Sequence, residues 1–157
     1  VQAARRAEVS DLDRLAELAR AAVAELRELR GGAVWARREA RRGPPEQALR
    51  DALDDDRQGV VAGTIDGVVV GYGWVRLEQL HDGAALGVVS DLYVEPAARG
   101  VGVGEAMMRA LVAWCEDHEC VGVDSLVLPG DRATKNFFES FGLVARAILV
   151  HRRLGSP

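Results

Sequence analysis

The sequence predicts an α/β fold, a mixed but mostly antiparallel sheet flanked by helices, with elements in the order β-α-α-β-β-β-α-β-α-β. Three observations predict it. Two β-branched runs, Gly59 to Ile65 and Val68 to Leu77, meet at Asp66-Gly67, and Asp-Gly between such runs is the strongest short-range sign of a hairpin. Downstream, Gly87 to Val94 reads as a strand that Glu95-Pro96 ends, since proline has no N–H to give to a ladder. A glycine-rich turn follows it, then a helix whose Met107, Met108, Leu111, Val112 and Cys115 share one face of a 3.6-residue period. Near the start, Leu12, Leu15, Ala19, Ala22, Leu26 and Leu29 recur at three- and four-residue steps, the mark of an amphipathic helix.

Taken in order, Val1 to Arg6 forms a short first strand, and Ser10 with Asp13 makes a capping-box-like start to the first helix, which Gly31-Gly32 stops. Residues 31–43 hold Trp35, Arg37, Arg38, Arg41 and Arg42 without an apolar face. They read as a solvated, mobile loop, with a substrate-facing lid as the alternative. Pro44-Pro45-Glu46 opens a second helix reaching Leu53, and Asp54-Asp55-Asp56 opposes its dipole. The hairpin comes next, then a polar loop around His81-Asp82-Gly83 that leads into the Gly87 strand as a third antiparallel neighbour. The following helix ends near Glu116 to Glu119. Val121 to Leu128 then forms a strand parallel to the one before that helix. Asp131 is placed to cap a last helix with Thr134, Phe137, Phe138 and Phe141 on its buried face and Gly142 as its stop. Leu143 to Leu154 alternates loosely and is expected as a final strand. No repeat, low-complexity tract or linker divides the chain, so residues 1–157 read as a single domain.

Composition narrows the class. At 157 residues and 48% hydrophobic, the chain is long enough to bury its own core. A net charge of −4 gives no global footprint for nucleic acid or an anionic membrane, and no apolar run approaches the ~20 residues of a membrane helix. No signal peptide is visible, and the start at Val1 rather than Met is compatible with a missing N-terminal segment. Cys115 and Cys120 match neither C-x-x-C nor a larger Cys/His set, so reduced thiols in a cytoplasmic protein are expected. A homodimer stays open.

The chemistry concentrates in Arg99-Gly100-Val101-Gly102-Val103-Gly104-Glu105, between strand and helix. Glycines at a helix opening let a ligand approach the backbone, while the first helical N–H groups and the dipole favour an anion. The dinucleotide fingerprint G-x-G-x-x-G fails, because Glu105 or Met107 stands where its third glycine belongs. A P-loop fails as well, since Gly104 is followed by Glu105-Ala106 rather than Lys-Ser/Thr.

What fits is R-x-x-G-x-G directly after a strand ending V-x-P, and here the sequence resembles the GNAT superfamily of N-acetyltransferases. The element order fits it along nearly the whole chain, and D-R-A-T-K-N-F-F-E-S-F-G-L at 131–143 resembles the family's N-x-x-A-x-x-x-Y-E-x-x-G-F pattern. The resemblance implies that residues 99–105 hold the pyrophosphate of acetyl-coenzyme A on backbone amides, with Arg99 adding a positive charge. It lays the pantetheine arm along Leu92, Tyr93 and Val94 as an added strand. A bulge-freed N–H near Val94 then faces the acetyl oxygen, and Asp131, Lys135 and Phe138 fall on the coenzyme side. Two departures stand out: Asp131 replaces an asparagine, and Phe138 replaces a tyrosine that often serves as general acid. The C-terminus is also short, with one strand where many members have two.

Acetyl transfer to an amine needs a deprotonated nucleophile, and an alkylamine with a lysine-like pKa of ~10.4 is mostly protonated at neutral pH. Asp91 is the first candidate base. It alternates with Ser90 along the strand, so one of the two should face the cleft and the other should not. A structural role for Asp91, satisfied by backbone amides, is the alternative. Glu78 and Asp124 are weaker candidates. With Phe138 unable to donate a proton, either Tyr93 or Tyr72 is the acid or none is needed, since a thiol of pKa ~8.5 leaves readily. His81, His118 and His151 have no metal-ligand spacing, so no metal is expected. Trp35, Trp74 and Trp114 read as core or interface. The expected partners are acetyl-coenzyme A and an amine, small molecule or peptide. A catalytically silent acyl-coenzyme A-binding module and an interaction domain with a merely structural glycine turn are the competing readings.

Overall fold

The computed structural model of the protein describes residues 1–155. The strands are β1 (Gln2–Arg6), β2 (Gln58–Ile65), β3 (Val68–Gln79), β4 (Ala85–Val94) and β5 (Val123–Ser125). The helices are α1 (Leu12–Arg27), α2 (Gly32–Arg38), α3 (Pro45–Leu53), α4 (Val103–Asp117) and α5 (Arg132–Ser140). The strands form one sheet in the order β1-β2-β3-β4-β5. The first three pairings are antiparallel, and β4 with β5 is parallel, as a strand–helix–strand unit requires. The fold class is the one expected from the sequence.

The alternation of each strand splits the core in two. Val60, Ala62, Tyr72 and Trp74 face α1 and α3, where Leu12, Leu15, Leu18 and Leu49 bury their side chains. Val61, Val75 and Val89 face the opposite way, onto Val103, Met107, Leu111 and Cys115 of α4. Burial of Cys115 pushes its thiol up to about 12, so it is inert packing. Among the described residues, no helix is long and apolar enough to cross a membrane.

Four local expectations change. Helix α1 is entered through a short 3₁₀ turn at Val9–Asp11, and the capping box is Glu8 with Asp11 rather than Ser10 with Asp13. The Asp11 carboxylate accepts from the Glu8 N–H at 2.8 Å and from both terminal nitrogens of Arg5 at 2.7 and 2.9 Å. Residues 31–43 are not all loop: α1 already ends at Arg27, short of the expected stop, and Gly31, at φ 84°, is the N-cap from which the chain restarts as α2. A seven-residue helix spans too few turns to display a period, which is why the sequence hid it. On α5 only Phe138 is buried, Phe137 and Phe141 being half-buried. Finally, Leu143 to Leu154 forms no strand, so the order closes at α5. The neighbouring edge strand β5 has only three residues, too little ladder to recruit another, and Val144, Ile148, Leu149, Val150 and Leu154 are 72–86% exposed.

Two features of β4 prepare the site. Trp74 pairs with Asp91 but Val75 pairs with Val89, so Ser90 is an extra residue in the ladder, a β-bulge. This break lies upstream of the Val94 region where the resemblance implied one. In addition, β5 pairs only with Gly87 to Val89. From Ser90 to Val94 the far edge of β4 therefore has no strand beside it.

Candidate active site

A continuous cleft of about 1360 Å³ runs along that open edge. Its walls include α1, the strands β3 and β4, the turn at 99–104 and the exposed start of α5.

At one end the chain passes from β4 through a short 3₁₀ turn at Pro96–Ala98 into the glycine stretch. Gly100 and Gly102 have φ of 84° and 97°, left-handed conformations that a side chain rarely adopts, and Gly102 is the N-cap of α4. Among the described residues, the N–H groups of Gly100 through Glu105 donate to no carbonyl or side chain of the protein. A fifteen-residue helix thus presents its unpartnered amides and positive dipole end to the cleft. Gly104 has no unusual φ, and a Cβ there would meet only Phe137 at 3.6 Å and Val94 at 3.9 Å. Its missing side chain leaves space in the cleft and relieves no strain.

Arg99 is not held out toward an anion. Its Nε donates to the Val94 carbonyl at 2.8 Å, and its two terminal nitrogens grip the Glu25 carboxylate of α1 at 2.9 and 2.7 Å. The guanidinium carbon lies 5.3 Å from the Tyr93 ring. This hydrogen-bonded pairing raises the Arg99 pKa and lowers that of Glu25.

The other expected coenzyme residues divide. Leu92, Tyr93, Val94, Glu105, Asp131 and Phe138 line the cleft, whereas Val101 and Lys135 do not. Lys135 lies on the exposed face of α5, 3.3 Å from Glu139. Val103 is 1% exposed and can offer only its backbone. Asp131 caps α5, accepting from the Thr134 N–H at 3.1 Å and its hydroxyl at 2.6 Å. Phe138, 5% exposed, is both core and wall.

At the other end Tyr72 and Trp74 of β3 form the floor. Asp91 accepts from the Tyr72 hydroxyl at 2.7 Å and from Arg41 at 2.5 Å. Arg41 also donates to the Ser90 hydroxyl at 2.6 Å, and its guanidinium carbon sits 3.3 Å from the Trp74 ring centroid. Simple alternation had sent Ser90 and Asp91 to opposite faces; the bulge brings both side chains to one guanidinium. Asp91 is therefore bound by side chains, not by the backbone amides of the structural alternative. Burial, then the charge of Asp91, raises the Tyr72 pKa well above its ordinary value. Burial also raises that of Tyr93, so both phenols keep their protons near neutrality.

Glu78 and Asp124 lie outside the cleft, Glu78 at 3.3 Å from Arg76 and Asp124 bound by Arg146. His118 stacks on Trp114 with ring centroids 3.8 Å apart, an ordinary helix end. Trp74 is core, as its type suggests, yet its ring also floors the cleft. The sequence reading missed Glu25, Arg41 and Trp74. Glu25 and Arg41 are 74 and 50 residues from their partners, and no motif joins them. The only available signal was the arginine-rich stretch with its alternative reading as a lid.

Comparison with known proteins gives the family. The profile of the acetyltransferase (GNAT) family matches residues 20–143. The chain is 32% identical over 81 residues to an aminoglycoside N(6')-acetyltransferase type 1 of Stenotrophomonas maltophilia, covering 49% of this chain and 53% of the relative. It is 30% identical over 113 residues to a mycothiol acetyltransferase of Salinispora tropica, covering 69% of this chain and 36% of the relative. It thus spans about half of the first relative and about a third of the second. A solved tetramutant of the BH1408 protein from Bacillus halodurans has the same fold, with a TM-score of 0.80 at 20% identity over 96% of this chain and 99% of that one. With a turn that offers free amides beside an open strand edge, and a family profile matching most of its length, this chain belongs to the acetyltransferase (GNAT) family.

Proposed function

We propose that the protein is an acetyl-coenzyme A-dependent N-acetyltransferase that moves the acetyl group to a primary amine by direct attack on the thioester. The observation that carries this reading is the run of unpartnered N–H groups from Gly100 to Glu105 at the start of α4, opening into the same cleft as Asp91. Backbone donors at a helix N-terminus suit a pyrophosphate. The edge of β4 from Ser90 to Val94, with no strand beside it and its Val94 carbonyl held by Arg99, suits the amide groups of a pantetheine arm. The cosubstrate supplies the activated acetyl group.

The chain's own residues have two tasks. The turn and the β4 edge hold and orient the thioester, converting a bimolecular encounter into a local one. Asp91, fixed by Tyr72 and on the floor beyond Val94, accepts the proton of the incoming ammonium, directly or through water. No dedicated acid faces the departing thiolate at position 138. Tyr93 is the phenol nearest in the chain, but its raised pKa makes it a reluctant donor, so unaided departure is the simpler course.

Two measurements test the reading: calorimetry with coenzyme A, and release of free thiol from acetyl-coenzyme A with a panel of primary amines. Binding with amine-dependent thiol release is the expected result. Binding without turnover for every amine supports a silent acyl-coenzyme A-binding module, and absence of binding overturns both.

A further inference from the structure

The acceptor end of the cleft already holds a cation, and that cation belongs to the chain. Arg41 is bound on three sides: by the Asp91 carboxylate at 2.5 Å, by the Ser90 hydroxyl at 2.6 Å and by the face of Trp74 at 3.3 Å. Carboxylate, hydroxyl and indole face together make a cation receptor, each contributing a different attraction. Tyr72 locks the receptor from below, leaving the Asp91 Oδ1 oxygen for the cation while its own hydroxyl holds Oδ2. Tyr72 and Trp74 are 1% and 2% exposed, so the floor is rigid.

The segment that delivers Arg41 is held differently. It lies between α2 and α3 in no regular structure. The Ala40 N–H reaches Trp35, but the N–H groups of Arg41, Arg42 and Gly43 donate to no carbonyl or side chain among the described residues. Gly43, at φ 79°, would have nothing within 4 Å of an added Cβ. The Arg41 head group is the segment's fastening to the sheet, and the Arg41 side chain stays 33% exposed to solvent.

We propose that the Ser90–Asp91–Trp74 pocket is the subsite for a cationic acceptor and that Arg41 occupies it as a competitor built into the chain, which the acceptor must displace. This rests on the N-acetyltransferase reading. Before it loses its proton, a primary amine is an ammonium ion, and Asp91 is the carboxylate proposed to take that proton. One carboxylate pocket walled by an indole does not hold two cations, so ammonium and guanidinium exclude one another. A ligand whose competent pocket is only partly populated binds more weakly in proportion, so removing the competitor raises apparent affinity. The acceptor class is a primary amine on a flat or slender cationic head able to lie against Trp74, in preference to a neutral or acidic amine.

The test uses the full chain and n-butylguanidinium as a probe that binds but has no amine to acetylate. In calorimetry, Arg41→Gln is expected to bind the probe at least tenfold more tightly than the parent, and Arg41→Ala to do the same where glutamine still bridges Ser90 and Asp91. Adding Asp91→Asn to either variant is expected to abolish the gain. Equal affinity in parent and variants, or a gain that survives Asp91→Asn, overturns the proposal. For amines that are turned over, Arg41→Gln is expected to lower the KM for the acceptor and leave that for acetyl-coenzyme A unchanged. A raised acceptor KM would make Arg41 part of the acceptor's grip and overturn the proposal. Because the probe arm needs no chemistry, it stands even if no amine is acetylated.

Discussion

The two ends of the cleft are made of different material. The proposed coenzyme end is one contiguous stretch, Gly100 to Glu105, whose available groups are backbone amides. The proposed acceptor end is a set of side chains, Tyr72, Trp74, Ser90 and Asp91 of two strands, with Arg41 from the segment before α3 seated on them. A backbone site is damaged by adding atoms, because its donors survive any truncation. A side-chain site is damaged by removing or neutralising the groups that bind the ligand, here Asp91 above all. Each end also holds an arginine against a carboxylate from elsewhere in the chain, Arg99 on Glu25 and Arg41 on Asp91.

The largest expected effect is at the side-chain end. Asp91→Asn keeps the Tyr72 hydrogen bond through its amide oxygen but removes the proposed base, so turnover at neutral pH is expected to fall by about 100-fold. The loss should shrink as pH rises toward the amine's own pKa of ~10.4, where the nucleophile deprotonates unaided. Coenzyme affinity should stay that of the parent. A pH–rate profile parallel to the parent's would reduce Asp91 to an anchor for Arg41 and Tyr72.

This contrast also explains what could be read from the sequence. The glycine turn was legible because left-handed backbone at Gly100 and Gly102 leaves little choice of residue, and because its site is local. Asp91 was named, but its pairing with Tyr72 and Arg41 was not, since it depends on where a one-residue bulge falls. With Ser90 extra in the ladder, both it and Asp91 reach Arg41, a result no alternation rule yields. Arg99 was read correctly as cationic and beside the turn, yet Glu25 on a distant helix neutralises it. Leu143 to Leu154 has strand-like residues, but a strand needs an edge of matching length and β5 offers three residues.

At the backbone end the expected effect is smaller and of opposite kind. Gly104→Val adds bulk where a Cβ meets its nearest neighbour at 3.6 Å, so the fold should tolerate it while the side chain fills the space proposed for the coenzyme. Coenzyme A affinity is expected to drop at least tenfold, about 1.4 kcal/mol, with the melting temperature of the free protein preserved. Gly102→Val is a poorer probe, since φ of 97° strains any side chain and lowers stability at the same time. Unchanged affinity of Gly104→Val in calorimetry would move the coenzyme away from this turn.

The smallest expected effect tests whether the Glu25–Arg99 pair restrains the coenzyme end as Arg41 is proposed to restrain the other. Glu25 and Arg99 side chains are 41% and 45% exposed, so solvent screens the pair and its worth is about 0.2–1 kcal/mol. Glu25→Gln should therefore cost at most about 1 kcal/mol of stability. By releasing Arg99 toward the pyrophosphate, it should tighten coenzyme A by no more than about fivefold, the same energy read as affinity. The sign with pH follows from the lowered pKa of Glu25. Its stabilisation is present above the unfolded value, near 4.5, and is lost as pH falls through the lower folded value. Parent and Glu25→Gln should accordingly differ in melting temperature at pH 7 and converge in strongly acidic buffer. Salt should narrow the difference at neutral pH, because exposed charges are screened. Coenzyme affinity that falls in Glu25→Gln would mean that the carboxylate positions Arg99 for the anion, and the two arginines would then play opposite parts at the two ends of the cleft.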